Sequence, residues 1–514
     1  MLTRIHSAKC IGIEAVDVTV ETNVDRGIGI HLVGMADTAV KESLLRVVTA
    51  MSSLGYKIPG KKIVINLAPA DLRKSGSGYD LPIAAGIISS ASDRALPFLD
   101  DYLIMGELSL DGGVRYIPGA LLYAEFARAK GLKGVILPYD CASEACAIEG
   151  IEIFGVRTLT EVLSVLSGDI DVGSLKMETI GPIQGDNPKG VDKDWDIPDF
   201  ADIVGQHGAK RALEIAAAGG HNIMMVGSPG SGKSTLAKAL AGILPPMTKD
   251  EALVTSKIYS VCGKGSDMGV GFCVRPFRAP HHSTSVAALI GGGSGDNVLP
   301  GEVSLAHNGV LFLDEFAQLP RTVIESLRGP LEDRSVVVSR LKAKVKFPAS
   351  FMLVAASNPC PCGYYGEGDR CKCSPSRREE YLSRLSGPIM DRIDLQVFVR
   401  RVQSVSIDEK SRESSAVVAD RVRAARRIQV ERFSGDGIYT NSEMNLRHLA
   451  KYCHLDEGTA SALRHLMDSR GLSMRAYYRI VRLARTIADL GGERNISEKH
   501  ILEAAGYRFL DSLT

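Results

Sequence analysis

A glycine-rich stretch near the middle of the chain carries residue types that can bind phosphate. Residues 227–235 have the sequence Gly-Ser-Pro-Gly-Ser-Gly-Lys-Ser-Thr and lie between an apolar run, 222–226, and a helix-like segment, 236–240. Glycines let the backbone curl and aim N–H groups at phosphate oxygens, and the following helix adds its positive end. Lys233 can reach β- and γ-phosphates, and the Ser234 hydroxyl can bind Mg²⁺. The spacing predicts ATP and Mg²⁺ as cofactors, rather than a turn that binds nothing, with the nucleotide held by Gly227, Ser228, Pro229, Gly230, Ser231, Gly232, Lys233, Ser234 and Thr235.

A second apolar run ends in two carboxylates. Residues 310–313 are Val-Leu-Phe-Leu, and Asp314 and Glu315 follow. An uninterrupted apolar run predicts a central strand of a parallel sheet, and ligands bind at the carboxyl ends of such strands. We therefore expect Asp314 to hold Mg²⁺ through water and Glu315 to polarise the water that attacks the γ-phosphate. An ordinary strand that ends in solvated acids is the alternative.

Length and composition limit the classes of protein to which the chain can belong. The 514 residues are too many for one core, so two to four domains are expected. A net charge of +1 gives no global attraction to polyanions, so a nucleic-acid surface would have to be a local patch. No apolar run approaches the ~20 residues of a membrane span, and the N-terminus lacks the apolar core of a signal peptide. We expect a cytoplasmic protein whose ten cysteines are thiols or metal ligands.

Residues 1–168 alternate short apolar runs with helical patterns, which predicts an α/β domain. We expect strands at 62–66 and 134–138 and a helix over 37–46. Residues 169–195 carry scattered Gly, Pro and Asp, which is typical of a linker, and end at Trp195.

Three segments of this first domain, 33–42, 66–74 and 78–83, resemble the amino-terminal domain of the ComM/YifB family. The resemblance implies the fold shared by ribosomal protein S5 domain 2 and the Lon protease domain. It also raises a serine–lysine peptidase as a second class of function. The residues that follow 106–119, the segment resembling Lon, are Ala120, Leu121 and Leu122, so no lysine is available there to activate Ser75 or Ser77. We expect this domain to serve assembly or to bind a protein partner.

Residues 196–402 resemble the core of AAA+ ATPases. The segment that ends in Gly205 and Gln206 is similar to one that lines the adenine pocket in that family. Asn358 follows a third apolar run, 351–356, and resembles the residue called sensor 1. A neutral amide suits that place, because it can donate to phosphate while accepting from water.

Two arginines resemble residues that act on the γ-phosphate. Arg392 is similar to the arginine finger that magnesium chelatases and MCM helicases insert into a neighbour's site, with local pairing to Asp391 or Asp394 as the alternative and Arg384 as a second candidate. Residues 403–514 are expected to form a helical lid, in which Arg475 resembles sensor 2. Ser473 is its expected N-cap, and a solvated cationic stripe is the alternative. A finger that acts in trans requires a ring, which we expect to be a homo-hexamer.

Two insertions distinguish the segment from a minimal ATPase. One contains His281 and His282; adjacent side chains of an extended segment point opposite ways, which favours a structural or pore-loop role over metal binding. The other, 334–347, predicts a β-hairpin. Its alternation puts Val338 on one face with the four cations Arg340, Lys342, Lys344 and Lys346. A row of cations suits contact with a DNA backbone, and a solvated strand face is the alternative.

Four cysteines cluster within fourteen residues: Cys360, Cys362, Cys371 and Cys373. Four thiols could close tetrahedrally around Zn²⁺. Only one residue separates the cysteines of each pair, whereas zinc knuckles usually have two. Free or redox-active thiols are therefore the alternative.

The motif order is similar to that of magnesium-chelatase-like AAA+ ATPases along nearly the whole chain, and the chain is identified as a member of the ComM/YifB family. The resemblance implies an α/β fold with a P-loop domain, a parallel sheet and a helical lid after the S5/Lon-like domain. It further implies a hexameric, DNA-dependent motor that promotes branch migration during natural transformation. A chelatase subunit or a protein-remodelling chaperone is the alternative.

Overall fold

A computed structural model describes residues 2–91, 95–169, 172–179, 197–265, 274–294, 297–339, 344–384, 387–401 and 413–508. Several features predicted from the sequence lie outside the described residues. They are Arg340, Lys342, Trp195 and most of the predicted linker.

The first part of the chain forms a mixed seven-stranded sheet with helices packed on it. Its strands are β1 (Leu2–Ile11), β2 (Glu14–Asp25), β3 (Gly29–Val33), β4 (Lys62–Ala68), β5 (Tyr102–Ile104), β6 (Glu107–Leu108), β7 (Val114–Arg115), β8 (Gly134–Pro138) and β9 (Glu152–Val156). Its helices are α1 (Thr38–Ser53), α2 (Asp80–Ala91), α3 (Ala120–Lys130), α4 (Tyr139–Ala145) and α5 (Leu159–Ser167). The sheet order is β3-β4-β2-β1-β5-β8-β9, and β6 and β7 form a separate hairpin.

The local sequence explains where these elements begin. The predicted strands at 62–66 and 134–138 are β4 and β8. Helix α1 starts at Thr38 because the Asp37 carboxylate accepts a hydrogen bond of 2.8 Å from the Val40 amide. The first described residues of the predicted linker are not detached from this unit, since the Met177 amide donates to the Ile153 carbonyl of β9 at 2.8 Å.

The ATPase-like part is built on a five-stranded sheet in the order β11-β14-β17-β10-β18, with every neighbouring pair parallel. The strands of this part are β10 (Ile223–Gly227), β11 (Phe277–Arg278), β12 (Gly291–Ser294), β13 (Asn297–Pro300), β14 (Val310–Leu313), β15 (Ser335–Ser339), β16 (Lys344–Pro348), β17 (Met352–Ser357) and β18 (Leu395–Val399). Strand β14 lies between β11 and β17 and is wholly buried, which confirms it as a central strand. The phosphate loop, the two carboxylates and Asn358 all follow carboxyl ends of adjacent strands.

Helices surround this sheet and continue to the C-terminus. Those of the ATPase-like part are α6 (His207–Gly219), α7 (Lys233–Ala241), α8 (Lys249–Val261), α9 (Val286–Ile290), α10 (Glu302–Leu305), α11 (Arg321–Ser326), α12 (Arg328–Asp333), α13 (Pro375–Ser383) and α14 (Gly387–Met390). The C-terminal helices are α15 (Ser415–Arg432), α16 (Leu446–Tyr452), α17 (Glu457–Arg470), α18 (Met474–Leu490) and α19 (Glu498–Gly506). In the described ranges, no helix combines the length and the apolar character needed to cross a bilayer.

Helix α18 shows how sequence sets the C-terminal packing. The Ser473 hydroxyl accepts a hydrogen bond of 3.3 Å from the Ala476 amide, which confirms the predicted N-cap. Four apolar residues at helical spacing are buried along one face: Ala476, Ile480, Leu483 and Ile487. Helices α15 and α18 both pack on α6, so the C-terminal helices share one core with the ATPase-like sheet.

Helix α8 joins the first unit to the ATPase-like part. Its Ser260 hydroxyl donates to the buried Glu144 carboxylate at 2.6 Å, and its Lys257 pairs with Glu125 at 2.6 Å. Burial raises the pKa of Glu144, against the opposing hydrogen bonds from Ser260 and Tyr116. Because a buried carboxylate requires hydrogen-bonding partners, these contacts fix α8 against the first unit.

Candidate functional site

The phosphate loop is shaped by glycines at its two ends. At Gly227 a Cβ would collide with the Val399 carbonyl oxygen of neighbouring strand β18. Gly232, with φ of 92°, leads into α7 in a left-handed conformation that favours glycine. Between them the Ser231 hydroxyl is buried and, among the described residues, has no hydrogen-bond partner. An unpaired buried donor in a loop of this shape fits a phosphate-binding group.

Lys233 lies within the loop and reaches the end of the neighbouring strand. Its Nζ donates to the Gly227 and Ser228 carbonyls at 2.7 and 2.9 Å, and lies 3.4 Å from Asn358 Oδ1. Burial lowers the pKa of the Lys233 ammonium, while the negative charges of Asp314 and Glu315 oppose that shift. The ammonium is therefore placed between the loop and Asn358, where it can exchange its carbonyl partners for phosphate oxygens.

The residues predicted to hold Mg²⁺ lie together. Ser234 Oγ donates to Asp314 Oδ2 at 2.8 Å, which joins the start of α7 to the end of β14. The second oxygen, Asp314 Oδ1, accepts from the Glu315 amide at 2.8 Å. A hydroxyl and a carboxylate are the hard oxygen ligands that Mg²⁺ prefers, so the donor set fits that ion.

Glu315 lies beside a histidine that the sequence did not assign to it. Glu315 has φ of 50°, uncommon for a residue with a side chain, and its carboxylate is 43% exposed. His282 Nδ1 lies 3.8 Å from Glu315 Oε2. The expectation that His281 and His282 point opposite ways is wrong: their ring centroids are 4.0 Å apart. The segment bends there, since the Thr284 amide donates to the His281 carbonyl at 2.9 Å.

Gln206 approaches the phosphate loop from the opposite side. Its Nε2 donates to the Arg400 carbonyl at 2.5 Å and lies 3.3 Å from the Ser231 carbonyl. Gly205 and Gln206 both have positive φ, 62° and 57°, so the chain turns sharply before α6. Gln206 thus links the entry to α6, the loop and the segment after β18.

The candidate finger and sensor 2 arginines line a separate cavity of about 840 Å³, which we call the arginine cavity. Within the described part of the chain, no residue of the phosphate loop lines it. Instead Asn222 and Met352 do, which lie at the amino ends of β10 and β17. The cavity therefore opens where the strands of the five-stranded sheet begin, which we call the amino edge. The phosphate loop lies where the strands end, which we call the carboxyl edge. Its arginines are Arg275, Arg334, Arg392, Arg426, Arg475, Arg479 and Arg482.

Arg392 and Arg475 make different contacts from those expected. Arg392 is 16% exposed and pairs with Glu332, rather than with Asp391 or Asp394. Arg475 is 70% exposed and pairs with Asp391 at 2.8 Å. The other candidate finger, Arg384, is an exposed residue at the end of α13. Within one chain Arg475 thus lies at the amino edge of the sheet, away from the loop that would hold its phosphate.

The arginines deeper in α18 do not form a solvated stripe. Arg479 donates to the Ile393 carbonyl at 3.1 Å and lies 3.8 Å from Asp394, which is also hydrogen-bonded to His221. Burial would raise the pKa of Asp394, but the His221 hydrogen bond and the arginine charges outweigh it and hold that pKa well below its ordinary value. Arg482 has a buried Nε with no hydrogen-bond partner among the described residues. A surplus of buried guanidinium donors makes the cavity a fit for an anion.

The four cysteines converge in the segment 360–373, which we call the cysteine knuckle. Their sulfur atoms all lie within 4.8 Å of one another, and Cys360 Sγ is 3.3 Å from Cys362 Sγ and 3.8 Å from Cys371 Sγ. A hydrogen bond from the Tyr364 amide lowers the pKa of the Cys362 thiol to about 6. Four convergent sulfurs, one of them readily ionised, fit a tetrahedral Zn²⁺ site despite the short spacing.

The predicted hairpin exists as β15 and β16, but its faces differ from the prediction. Lys344 and Lys346 are both exposed on one face. Val338 is buried and pairs with Val345, so it lies on the opposite face, and the prediction that it shares the cation face is wrong. The prediction extends strand alternation unchanged through the turn, whereas an antiparallel turn can change which residues of the two strands share a face.

Three contacts at these sites could not be inferred from residue spacing. His282 beside Glu315 follows β11, a two-residue strand that its pattern does not reveal. Glu367 accepts a hydrogen bond from Ser228 of the phosphate loop, although it lies in the loop between the cysteine pairs. Glu332, the partner of Arg392, is sixty residues away in sequence. These pairs form only through the tertiary fold, which residue spacing does not reveal.

Comparisons with known proteins cover nearly the whole chain. Residues 199–407 match the family described as magnesium chelatase, subunit ChlI; residues 20–141 match subunit ChlI of Mg-chelatase, and residues 412–508 its C-terminal part. The uncharacterized protein YifB of Salmonella typhimurium is 39% identical over 100% of this chain and 98% of its own length. The competence protein ComM of Haemophilus influenzae is 40% identical over 99% of this chain and 97% of its own. The chain belongs to the ComM/YifB family of magnesium-chelatase-like AAA+ ATPases.

Proposed function

We propose that this chain is the subunit of a homo-hexameric motor that hydrolyses ATP and moves DNA, acting as a branch-migration helicase. The observation that carries the ATPase part is the convergence of Lys233, Ser234, Asp314 and Asn358 at one edge of the sheet. The competence function in the name of the Haemophilus relative supports the DNA part. The proposal includes a lid at 403–514 and an S5/Lon-like domain at 1–168 that binds a protein partner.

Each residue at the carboxyl edge has a role in this proposal. The loop amides and Lys233 bind the β- and γ-phosphates, while Ser234 and Asp314 hold Mg²⁺. ATP with Mg²⁺ supplies the phosphoryl group that is transferred to water. Glu315 accepts a proton from that water, and Asn358 orients it. Gly205 and Gln206 contact the adenine side of the nucleotide, next to the Ser231 carbonyl.

Arg392 and Arg475 complete a neighbouring subunit's site in the proposed ring. They line a cavity at the amino edge of the sheet, whereas the phosphate loop lies at the carboxyl edge. Strands of four to six residues separate these edges by about 15 Å, which is beyond the reach of an arginine within the same chain. A neighbour's triphosphate is the anion that this arrangement favours.

The DNA contact is proposed for the β15–β16 hairpin. Lys344 is exposed beside Lys346, and Arg340 and Lys342 lie in the sequence between the two strands. Cations on an exposed hairpin face suit the sugar–phosphate backbone, and their contribution should weaken with salt. Zn²⁺ at Cys360, Cys362, Cys371 and Cys373 is proposed as a structural ion near this machinery.

The test is ATPase rate with and without single-stranded and branched DNA. We expect both DNAs to stimulate hydrolysis, and the double variant Lys344→Ala/Lys346→Ala to lose about tenfold in apparent DNA affinity and to show a smaller salt dependence. Arg340→Ala/Lys342→Ala should act in the same direction. The matched control is Lys61→Ala/Lys62→Ala, which removes two exposed lysines from the first unit. Equal losses in the control and hairpin variants would contradict the hairpin assignment.

A chelatase-type subunit or protein-remodelling ATPase is the second candidate, favoured by the match of residues 199–407 to the chelatase family. It shares the nucleotide site but not the DNA surface. ATP hydrolysis that responds to no DNA at low salt would favour it over the DNA motor.

A further inference from the structure

The cysteine knuckle lies directly against the phosphate loop. The Ser228 hydroxyl, at the second position of that loop, donates a hydrogen bond to the Glu367 carboxylate. Gly363 packs closely against Pro229, the third position of the phosphate loop, since a Cβ at position 363 would lie 2.7 Å from Pro229 Cδ. Gly363 has φ of 84°, so a side chain at this position would also strain the backbone. Two consecutive residues of the loop are thus held from outside by the knuckle.

The knuckle is also continuous with the strand that carries Asn358. Only Pro359 separates Asn358 from Cys360, and the Gly363 amide donates to the Cys360 carbonyl at 3.0 Å. Lys233 donates to the Ser228 carbonyl and to Asn358 Oδ1. A shift of the knuckle therefore acts on the phosphate loop and on Asn358 together.

The four thiols determine how rigidly the cysteine knuckle holds the phosphate loop. Cys360 and Cys362 precede Gly363 and Glu367, and Cys371 and Cys373 follow them, so an ion bound by all four sulfurs closes the intervening loop. When a metal closes this loop, the loop has less conformational entropy left to lose when Glu367 binds Ser228. The Glu367–Ser228 hydrogen bond therefore forms more favourably. Without the ion, the buried Ser228 hydroxyl would lack its hydrogen-bond partner for part of the time, and the phosphate loop would be less ordered.

We infer that a thiophilic divalent ion, Zn²⁺, at the cysteine knuckle sets the conformation of the phosphate loop and so the affinity for nucleotide, with Glu367 as the positioning residue between them. The inference rests on the proposed nucleotide site and not on the proposed DNA activity. It requires no change in oxidation state, since the ion only binds or leaves. Glu367 acts through Ser228 and not on the reacting atoms.

The experiment measures zinc content and ADP affinity on the same preparations of full-length protein. Elemental analysis is expected to give one zinc per chain, and fluorescent ADP to bind about tenfold more weakly after a chelator removes the zinc. Adding Zn²⁺ back should restore the affinity. Stripping the wild-type protein avoids cysteine variants that could fail to fold.

Substitutions then separate the ion from its link to the loop. Glu367→Ala should keep its zinc and weaken ADP binding five- to tenfold, and removing the zinc from this variant should add little. Glu367→Gln, whose amide oxygen can accept the same hydrogen bond, should recover most of the affinity. The matched control is Asp369→Ala, an exposed carboxylate in the same knuckle, which should bind ADP as the wild type does.

Three results would overturn the inference. They are less than half an equivalent of zinc, ADP affinity unchanged within twofold on stripping, and a full additive loss when the zinc is removed from Glu367→Ala. Failure of the proposed function looks different. If ADP binding depends on zinc but DNA does not change the rate of hydrolysis, only the proposed DNA motor is contradicted. If no preparation binds ADP, the nucleotide site itself is contradicted.

Discussion

The two edges of the five-stranded sheet carry opposite kinds of polar site. At the carboxyl edge, Ser234 and Asp314 meet at 2.8 Å and Lys233 bridges the loop to Asn358. At the amino edge, Arg392 and Arg475 line a cavity among further arginines and pair with Glu332 and Asp391. The first site is assembled within one chain, while the second presents guanidinium groups and, among the residues that the structure describes, has no phosphate-binding loop of its own.

This difference fits the ring assembly proposed above. In the head-to-tail ring that we propose, the amino edge of one subunit faces the carboxyl edge of the next. Asn222 joins the arginine cavity to the sheet: its side chain donates to the Arg392 carbonyl at 2.9 Å and accepts from the Leu353 amide of β17 at 2.8 Å. Strands β10 and β17 then run from this contact to the phosphate loop and Asn358.

A mixing experiment tests whether the two edges act in different subunits. Arg392→Ala should lower kcat by at least about 10²-fold, since fingers contribute 10³–10⁵ in characterised cases. Glu315→Gln should bind ATP without turnover, because the general base is lost. If the arginine acts on a neighbour, an equal mixture of the two inactive proteins regains activity, because about a quarter of sites combine an intact Glu315 with a neighbour's intact Arg392.

The contradicting outcome is a mixture as inactive as its components under conditions where subunits exchange. That result would mean that Arg392 and Glu315 must belong to the same chain. Arg384→Ala, mixed in the same way, decides between the two candidate arginines.

The two edges also differ in how far sequence alone could predict them. The phosphate loop and Asp314 were predictable because each motif follows a short apolar strand, and parallel strands bring their carboxyl ends together. The amino edge was not, because Glu332 and Arg392 approach each other only through the packing of α12 beside the segment before β18. The hairpin prediction failed at Val338 for a related reason: strand alternation gives faces only up to a turn.

A buried histidine also lines the arginine cavity. It should make the free energy of unfolding of the protein depend on pH. His307 accepts a hydrogen bond from the Ser350 amide at 3.0 Å, and burial lowers its pKa to about 4, with Arg275 adding to the shift and Glu251 opposing it. The unfolded chain has a histidine pKa of about 6.5, so it binds the proton first as the pH falls. Stability that is present above pH 6.5 is then lost towards pH 4, by about 2 kcal/mol between pH 7 and pH 5.

Urea denaturation at pH 7 and pH 5 measures this loss. His307→Gln keeps an acceptor for Ser350 but cannot take up the proton, so the difference between the two pH values should shrink by about 2 kcal/mol. His207→Gln, at an exposed position in α6, is the histidine control. The same pH dependence in His307→Gln and wild type would show that His307 is not the group responsible.

At the carboxyl edge, the smallest expected effect concerns His282. Its Nδ1 lies 3.8 Å from Glu315 Oε2, and both side chains are about half exposed, so the pair is worth at most about 1 kcal/mol, or roughly fivefold in kcat. His282→Ala should lower kcat by up to that factor and leave ADP affinity unchanged, because it removes a group that orients Glu315 rather than one that binds phosphate. His281→Ala is a close control, since that ring packs at an angle against His282 while its Nδ1 faces Ser283. Equal effects of the two substitutions on kcat would mean that the turn, and not the contact with Glu315, is what matters.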